Sequence, residues 1–470
     1  MRLLVVTLCC FVATPIVRAD PTEDAVIEAI KERGGMVEQF GKVVGLSYTQ
    51  VTDAQLKDLA ALKNLTVLNL SETSVTGIGL KELADLKNLT TLDFSDSTLT
   101  DAGMKELATL KNLTTLDLSA ASLVTDAGLK ELANLKNLTS LNLSSMEVTD
   151  TSLKELADLK NLTTLNLSST EVTDAGLKEL TALKNLTTLD LSGTEVTGTG
   201  LKELAALKNL TTLTFSGIRV TSAGLKELSA LKNLTTLMLF GLDANIAVPP
   251  GAARKPSLTD AGLKELAALE KLTTLELSMT DVTDAGLTEL AALKNLTTLD
   301  LRGAMGGELA RGKEGYRERL LTDAEAKELA ALESLTAIDL SGNNVTATIL
   351  KELAASKNLI ALNLSHTKVT DADMKELAAL RNLRILYLSG CLNLTDDGLK
   401  QLALLKNLTT VDLMMTVVSD TGLMELSAIP GLAHLRVDGT AVSIAAEKEF
   451  VRRSPKCDLS VPSWPDAIKR

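Results

Sequence analysis

The sequence predicts an α/β solenoid, a stack of repeated strand-and-helix units, and three observations carry that reading. The first is a repeated segment. Leu99-Thr-Asp-Ala-Gly-Met-Lys-Glu-Leu-Ala-Thr-Leu-Lys-Asn-Leu-Thr-Thr-Leu-Asp-Leu recurs, little changed, along nearly the whole chain. Its threonine marker falls at Thr52, Thr76, Thr100, Thr125, Thr149, Thr173, Thr197 and Thr221, then Thr259, Thr283, Thr322, Thr346, Thr370, Thr395 and Ser419, with an echo at Ser443. The second is the spacing, 24 or 25 residues except for jumps of 38 after Thr221 and 39 after Thr283. A fixed period in the twenties marks a solenoid, and it overrides the two or three domains that 470 residues alone would suggest. The third is a pair of hydrophobic periods inside each unit. Leu80, Leu83 and Leu86 recur as one face of a short helix, while Leu92 and Phe94 alternate with polar residues as a strand buried on one side.

The elements follow in order. Met1 and Arg2 precede an apolar stretch, Leu3 to Val12, broken by Pro15 and followed by Val17-Arg18-Ala19. This reads as a secretory signal peptide over residues 1–19. Cys9 and Cys10 invite a lipid-attachment reading, but Leu8 and Cys9 stand where that processing needs a small residue. Residues 20–50 read as an amino-terminal cap, with a helix from Glu23 to Arg33 and a first degenerate strand at Val43 to Leu46. Residues 51–440 hold the repeats, with inserts at 240–257 and 302–321. Residues 441–470 read as the opposite cap, with a helix from Ser443 to Val451 and a proline-bearing tail from Pro455. Such atypical ends cover a core edge that would otherwise aggregate. Within a unit, Thr or Asp is placed to cap a helix of about ten residues, a length marginal alone in water, so stacking must stabilise it.

Composition narrows function. The net charge is −12, and becomes −14 once Arg2 and Arg18 leave with the signal peptide. An acidic chain is unsuited to a phosphate backbone, so no nucleic-acid partner is expected. No apolar run reaches the roughly 20 residues of a membrane-spanning helix. The mature chain keeps only Cys391 and Cys457, too far apart in the repeat series for a bridge, so both thiols are expected free.

The pattern LxxLxLxxT followed by VTDxGLxxLAxL resembles the leucine-rich repeat family. It is most similar to the 24-residue bacterial GALA-like type and to the cysteine-containing type found beside F-boxes. Leu386-Tyr-Leu-Ser-Gly-Cys-Leu-Asn-Leu-Thr-Asp-Asp-Gly-Leu399 carries the cysteine version, and the resemblance runs from Val43 to Thr440. It implies a curved right-handed solenoid with parallel strands on the concave face and short helices on the convex face. For function it implies a binding scaffold, usually for protein.

The residue between the two apolar positions of each LxL faces outward: Asn69, Asp93, Asp117, Asn142, Asn166, Asp190, Thr214, Met238, Glu276, Asp300, Asp339, Asn363, Tyr387, Asp412 and Arg436. This palm is polar and mildly acidic, either plain solvated surface or a dock for a basic partner. Lys81-Glu82-type pairs form a solubilising column on the helices. The Asn-Leu-Thr triplets, such as Asn64 to Thr66, match a glycosylation acceptor but belong to the repeat consensus.

The two inserts break the pattern at the same point, after a strand and before the next helix, with one undisturbed strand between them. They would emerge roughly 10 Å apart on one rim, and inserts on one face of a repeat protein often form its binding face. The first carries Arg254 and Lys255. The second carries Arg302, Arg311, Lys313, Arg317 and Arg319 against three glutamates. Beside them Glu276, Asp300 and Asp339 are consecutive outward acids, whose mutual repulsion needs an answer. Three answers stay open: the insert arginines pair with the acids, the inserts frame a ligand pocket with Met238, Phe240 and Tyr316 as apolar contacts, or a divalent cation sits there.

Catalysis is not expected. His366 and His434 lack a paired nucleophile, and no nucleophile elbow, zinc-protease motif, phosphate loop or Cys-x-x-Cys occurs. No cofactor is expected. The composite expectation is an exported, non-enzymatic scaffold binding a protein or an extracellular or envelope ligand through the concave face and the inserts. The alternative is the substrate-recognition subunit of a ubiquitin ligase, or an effector-like adaptor. An F-box would need some 40 to 50 residues before the repeats, against about 23 between Asp20 and Lys42.

Overall fold

The computed structural model describes residues 21–38, 42–47, 49–216, 222–240, 258, 260–278, 280, 282–303 and 321–468. The chain forms two compact units, Met1–Leu138 and Thr139–Arg470. The proposed signal peptide and most of both inserts lie outside the described residues.

The first unit opens with a helix, Pro21–Glu32, and a strand β1 (Met36–Glu38) that the hydrophobic pattern does not reveal. β1 pairs antiparallel with β2 (Val43–Gly45), the expected degenerate strand. Then β3 (Val67–Asn69), β4 (Thr91–Asp93) and β5 (Thr115–Asp117) follow in parallel register, with Leu68, Leu92 and Leu116 side by side. All three leucines are buried, as are Leu56, Leu80 and Leu107 from the helices behind them.

The second unit repeats this arrangement through β6 (Ser140–Asn142), β7 (Thr164–Asn166), β8 (Thr188–Asp190), β9 (Thr212–Ser216), β10 (Thr236–Phe240), β11 (Thr274–Glu276), β12 (Thr298–Asp300), β13 (Ala337–Asp339), β14 (Ala361–Asn363), β15 (Ile385–Tyr387), β16 (Thr410–Asp412) and β17 (His434–Arg436). Each strand is parallel to the next. The helix Ile444–Arg453, whose Phe450 is fully buried, is followed by a further short helix, Trp464–Ala467, that the sequence pattern does not reveal. The Phe240 that opens the first insert by sequence spacing is still strand, paired with Ser216 of β9.

The helices are shorter than the expected ten residues. Most run seven, as in Asp101–Leu107 and Asp174–Leu180, because the chain must turn back toward the next strand within the same period. The division of labour at their start also differs from expectation. Threonine is the cap, as when Thr100 Oγ1 accepts from the Gly103 N–H. The aspartate after it reaches across to the next unit instead: Asp150 accepts from the N–H and hydroxyl of Thr173 at 2.8 and 2.7 Å, and Asp101 does the same for Thr125. In two repeats glycine replaces that aspartate. Thr76-Gly77 leads into a 3₁₀ turn, Ile78–Leu83, and Thr197-Gly198 into a helix of only four residues, Leu201–Leu204. With Gly77 in that place, Thr100 bonds to the Thr76 carbonyl instead of a carboxylate.

The glycine of Asp-Ala-Gly-Leu permits this bridge. A Cβ on Gly176 would lie 2.2 Å from Asp150 Oδ1. Close approach of successive helices, rather than helix geometry alone, requires it.

Candidate functional site

The outward residue of each strand is more committed than a free acidic palm would be. Its carboxylate or amide oxygen turns back to accept the N–H two residues on: Asp93 from Ser95, Asn166 from Ser168, Asp190 from Ser192 and Asp412 from Met414, all at 2.9 Å. Short Asp and Asn side chains do this well at a strand end, since they mimic a turn. Burial then divides the face. On β6, β7 and β8 the outward positions are half-exposed, whereas β13, β14 and β16 are buried on both sides.

Glu276 and Arg302 depart from that pattern. Glu276 is one methylene longer than its neighbours, so its carboxylate reaches forward instead, accepting from the Ser278 hydroxyl and the Arg302 guanidinium. Arg302 Nε also donates to both oxygens of Asp300, at 3.1 and 2.8 Å, and stands 4.0 Å from Asp339. Thus one arginine, the first residue of the second insert, answers the acidic trio that sequence placed on adjacent strands. Glu276↔Asp300↔Asp339 is also the observed register. Burial pushes the Glu276 carboxyl up to about 7, with Asp300 adding repulsion and Arg302 opposing both. Asp339, almost fully buried, is pushed up to about 6 by the same two effects. Asp300 is raised by burial despite Arg302. For Arg302, burial works against the charge, but Asp300 and Glu276 outweigh it and hold the guanidinium charged.

Behind this cluster Asn343 donates to the Leu301 and Leu340 carbonyls at 2.9 and 3.0 Å, while its own oxygen is buried without a partner. Among the described residues, no group of three His, Cys, Asp or Glu side chains could hold a metal ion.

Met238 is half-buried on β10, directly beside Glu276 on β11, so the structure joins it to the cluster. Phe240 ends β10, and its side chain lies outside what the structure describes. Arg254, Lys255, Arg311, Tyr316, Arg317 and Arg319 lie outside the described residues. The two inserts leave from β10 and β12, and β11 alone separates those strands.

The carboxy-terminal tail is the feature the sequence reading missed. It was expected to close the last repeat, and Asp458 does pair beside His434 at the edge of β17. The chain then crosses onto the outward strand face. Arg436 donates to the Val461 carbonyl at 3.2 Å, the Tyr387 hydroxyl donates to the Pro462 carbonyl, and His434 Nδ1 lies 3.2 Å from the Ser460 carbonyl. The Trp464 ring meets Tyr387 edge to face, with centroids 5.4 Å apart. Tyr387 is therefore 4% exposed, although its strand position points outward. The available signal was an aromatic at a position filled elsewhere mostly by short polar residues.

The Asn-Leu-Thr corners carry hydrogen bonds between units. Asn185, Asn209 and Asn233 donate to the carbonyls of Lys160, Lys184 and Lys208 at 2.8, 2.9 and 2.9 Å. Thr187 and Thr211 add side-chain bonds to the preceding corner. That accounts for the triplet without any sugar.

Three family models match the chain, and all describe leucine-rich repeats. The Leucine rich repeat model covers 63–123, and the Zer-1-like leucine-rich repeats model covers 104–205. A further Leucine Rich repeat model covers 268–291, 331–354, 355–378, 379–403 and 405–427. The chain belongs to the leucine-rich repeat family. This leucine-rich repeat protein is similar to a solved leucine-rich repeat protein of Leptospira interrogans, at 25% identity over 87% of this chain and 94% of that one, with a TM-score of 0.47. It is also similar to an internalin of Listeria monocytogenes, at 21% identity over 83% and 94%, with a TM-score of 0.45. No protein of curated function matches the sequence. Among the described residues, no helix is long and apolar enough to cross a membrane.

Proposed function

We propose that this leucine-rich repeat protein is an exported, non-enzymatic scaffold that binds a protein or an extracellular or envelope ligand. Binding uses the outward strand face together with the two inserts. The observation that carries this reading is the rooting of both inserts at the same end of β10 and β12, flanking β11. A repeat array tolerates extra chain on either rim, so two long additions on neighbouring units concentrate non-repeating chemistry in one place. The half-exposed outward residues of β6 to β8, such as Asn142, Asn166 and Asp190, extend that surface with hydrogen-bonding groups. Arg302 neutralises much of the acidic trio internally, so the trio supports insert placement rather than serving as a free anion patch.

Export rests on the sequence of residues 1–19. Fractionation with mass determination of the amino terminus tests it. Cleavage after Ala19 supports export, and an uncleaved cytosolic chain overturns it. For binding, residues 242–255 and 304–319 are deleted together and capture from envelope extracts is compared with the intact chain. Loss of a saturable partner with unchanged melting temperature supports the inserts. Capture that persists moves the site to the plain strand face, and failure of the intact chain to bind overturns the scaffold reading.

A further inference from the structure

The tail lies on the strand face as a bound peptide would. Only Asp458 pairs with the edge of β17, through bonds from its N–H to the Ala433 carbonyl and from the Leu435 N–H to its own carbonyl. Beyond that point the face holds the tail chiefly by side chains directed at its backbone. Arg436 and Tyr387 grip the successive carbonyls of Val461 and Pro462. Trp464 supplies the anchoring side chain, with Val461 and Ala467 packed against Tyr387 and Ile385 beside it. Asp412 lies on the strand between those two grips, 3% exposed and 3.7 Å from Arg436, which keeps the guanidinium aimed across the face.

Such recognition asks little of the ligand's sequence: an extended backbone with accessible carbonyls, and one aromatic ring. Backbone bonds supply affinity and the ring supplies register. Proline at the second gripped carbonyl keeps the segment extended, since its ring fixes φ. The other outward positions of the LxL strands carry short polar side chains or Met, Glu and Arg, so Tyr387 is the one aromatic among them.

We propose that the outward face of β15 to β17 is a peptide-binding groove for a Pro-x-Trp segment that is extended up to the Trp and opens a helical turn there, and that residues 458–468, with their short helix Trp464–Ala467, are its tethered, displaceable occupant. The tether sets an effective concentration near the millimolar range, so a partner must outcompete the tail. The inference rests on the scaffold reading, but it is tested on different strands from the insert deletion, so either can fail alone.

The test uses the full chain and a labelled synthetic peptide of residues 455–470. Trp464→Ala releases the tail, and this variant should bind the peptide at least ~10-fold more tightly than the wild type does. Adding Tyr387→Ala should abolish that binding. Equal affinity for wild type and Trp464→Ala, or no binding to a Trp464→Ala chain with an unchanged melting temperature, overturns the proposal. Should Trp464→Ala not fold, the wild type supplies its own readout, because Trp464 is the chain's single tryptophan. The same peptide with Phe in place of Trp should shift Trp464 emission to the red without changing the circular dichroism. No shift at millimolar peptide overturns the proposal.

Discussion

Arg302 chelates Asp300, its Nε donating to both carboxylate oxygens at 3.1 and 2.8 Å, while the same guanidinium reaches Glu276 on the preceding strand. One cation thereby serves two buried acids and the partly buried Asp300. Arg302→Ala should cost about 2 kcal/mol at pH 8. That is below the usual cost of breaking a buried pair, because the guanidinium is itself about a third exposed. Urea unfolding at pH 8 and pH 5.5 measures it. The loss should shrink at pH 5.5, where the stranded carboxyls take up protons, and an equal loss at both values would refute the charge explanation.

The wild-type cluster has its own pH signature. Glu276 and Asp339 are raised to about 7 and about 6, above their ordinary 4.5 and 3.8. Between those limits the folded chain binds more protons than the unfolded one, so stability should fall as pH rises from about 5 to about 8. Glu276→Gln should flatten that slope and stabilise the chain at pH 8. A slope unchanged by the substitution would place its origin elsewhere.

The Asp150–Thr173 bridge and Gly176 form a coupled pair across two units. Asp150→Ala should cost about 1–2 kcal/mol through two lost hydrogen bonds. Gly176→Ala should also destabilise, because its Cβ would strike Asp150 Oδ1. In the Asp150→Ala background the carboxylate is gone and only Leu153 Cδ1, 3.0 Å from the new Cβ, must give way, so Gly176→Ala should cost clearly less than in the wild type. A double-mutant cycle from chemical denaturation reads the coupling, and additive effects would contradict it.

Cys391 and Cys457 are free and buried. Burial raises both thiols, Cys457 to about 11 with Asp458 adding to the effect. In a chain starting at Asp20, neither should react with a thiol reagent at pH 8 until denaturant is added, and two should then titrate. Rapid reaction of the native protein would contradict their burial.

Much of the fold was legible because the repeat states the same instruction many times. Leu92 and Leu116 announce buried strand centres, Thr100 announces a cap, and the Glu276, Asp300, Asp339 register follows from counting residues. The roles of Asp150 and Gly176 were not legible, since both act on a neighbouring unit and a single period looks the same whether contacts run within it or between periods. β1 was invisible for a related reason: three residues from Met36 to Glu38, lying mostly in the open, leave no hydrophobic pattern.

The sequence by itself determined the solenoid, its period, the two interrupted units and the free cysteines, because those depend on local pattern and composition. Tertiary structure alone decided that Arg302 would serve three carboxylates and that Trp464 would travel back to Tyr387. Both depend on where distant chain segments meet. The 76 residues between Tyr387 and Trp464 carry no sequence period that links them. Only the stacking of β15, β16 and β17 builds a face on which the tail can lie, and that face exists once the repeats have folded.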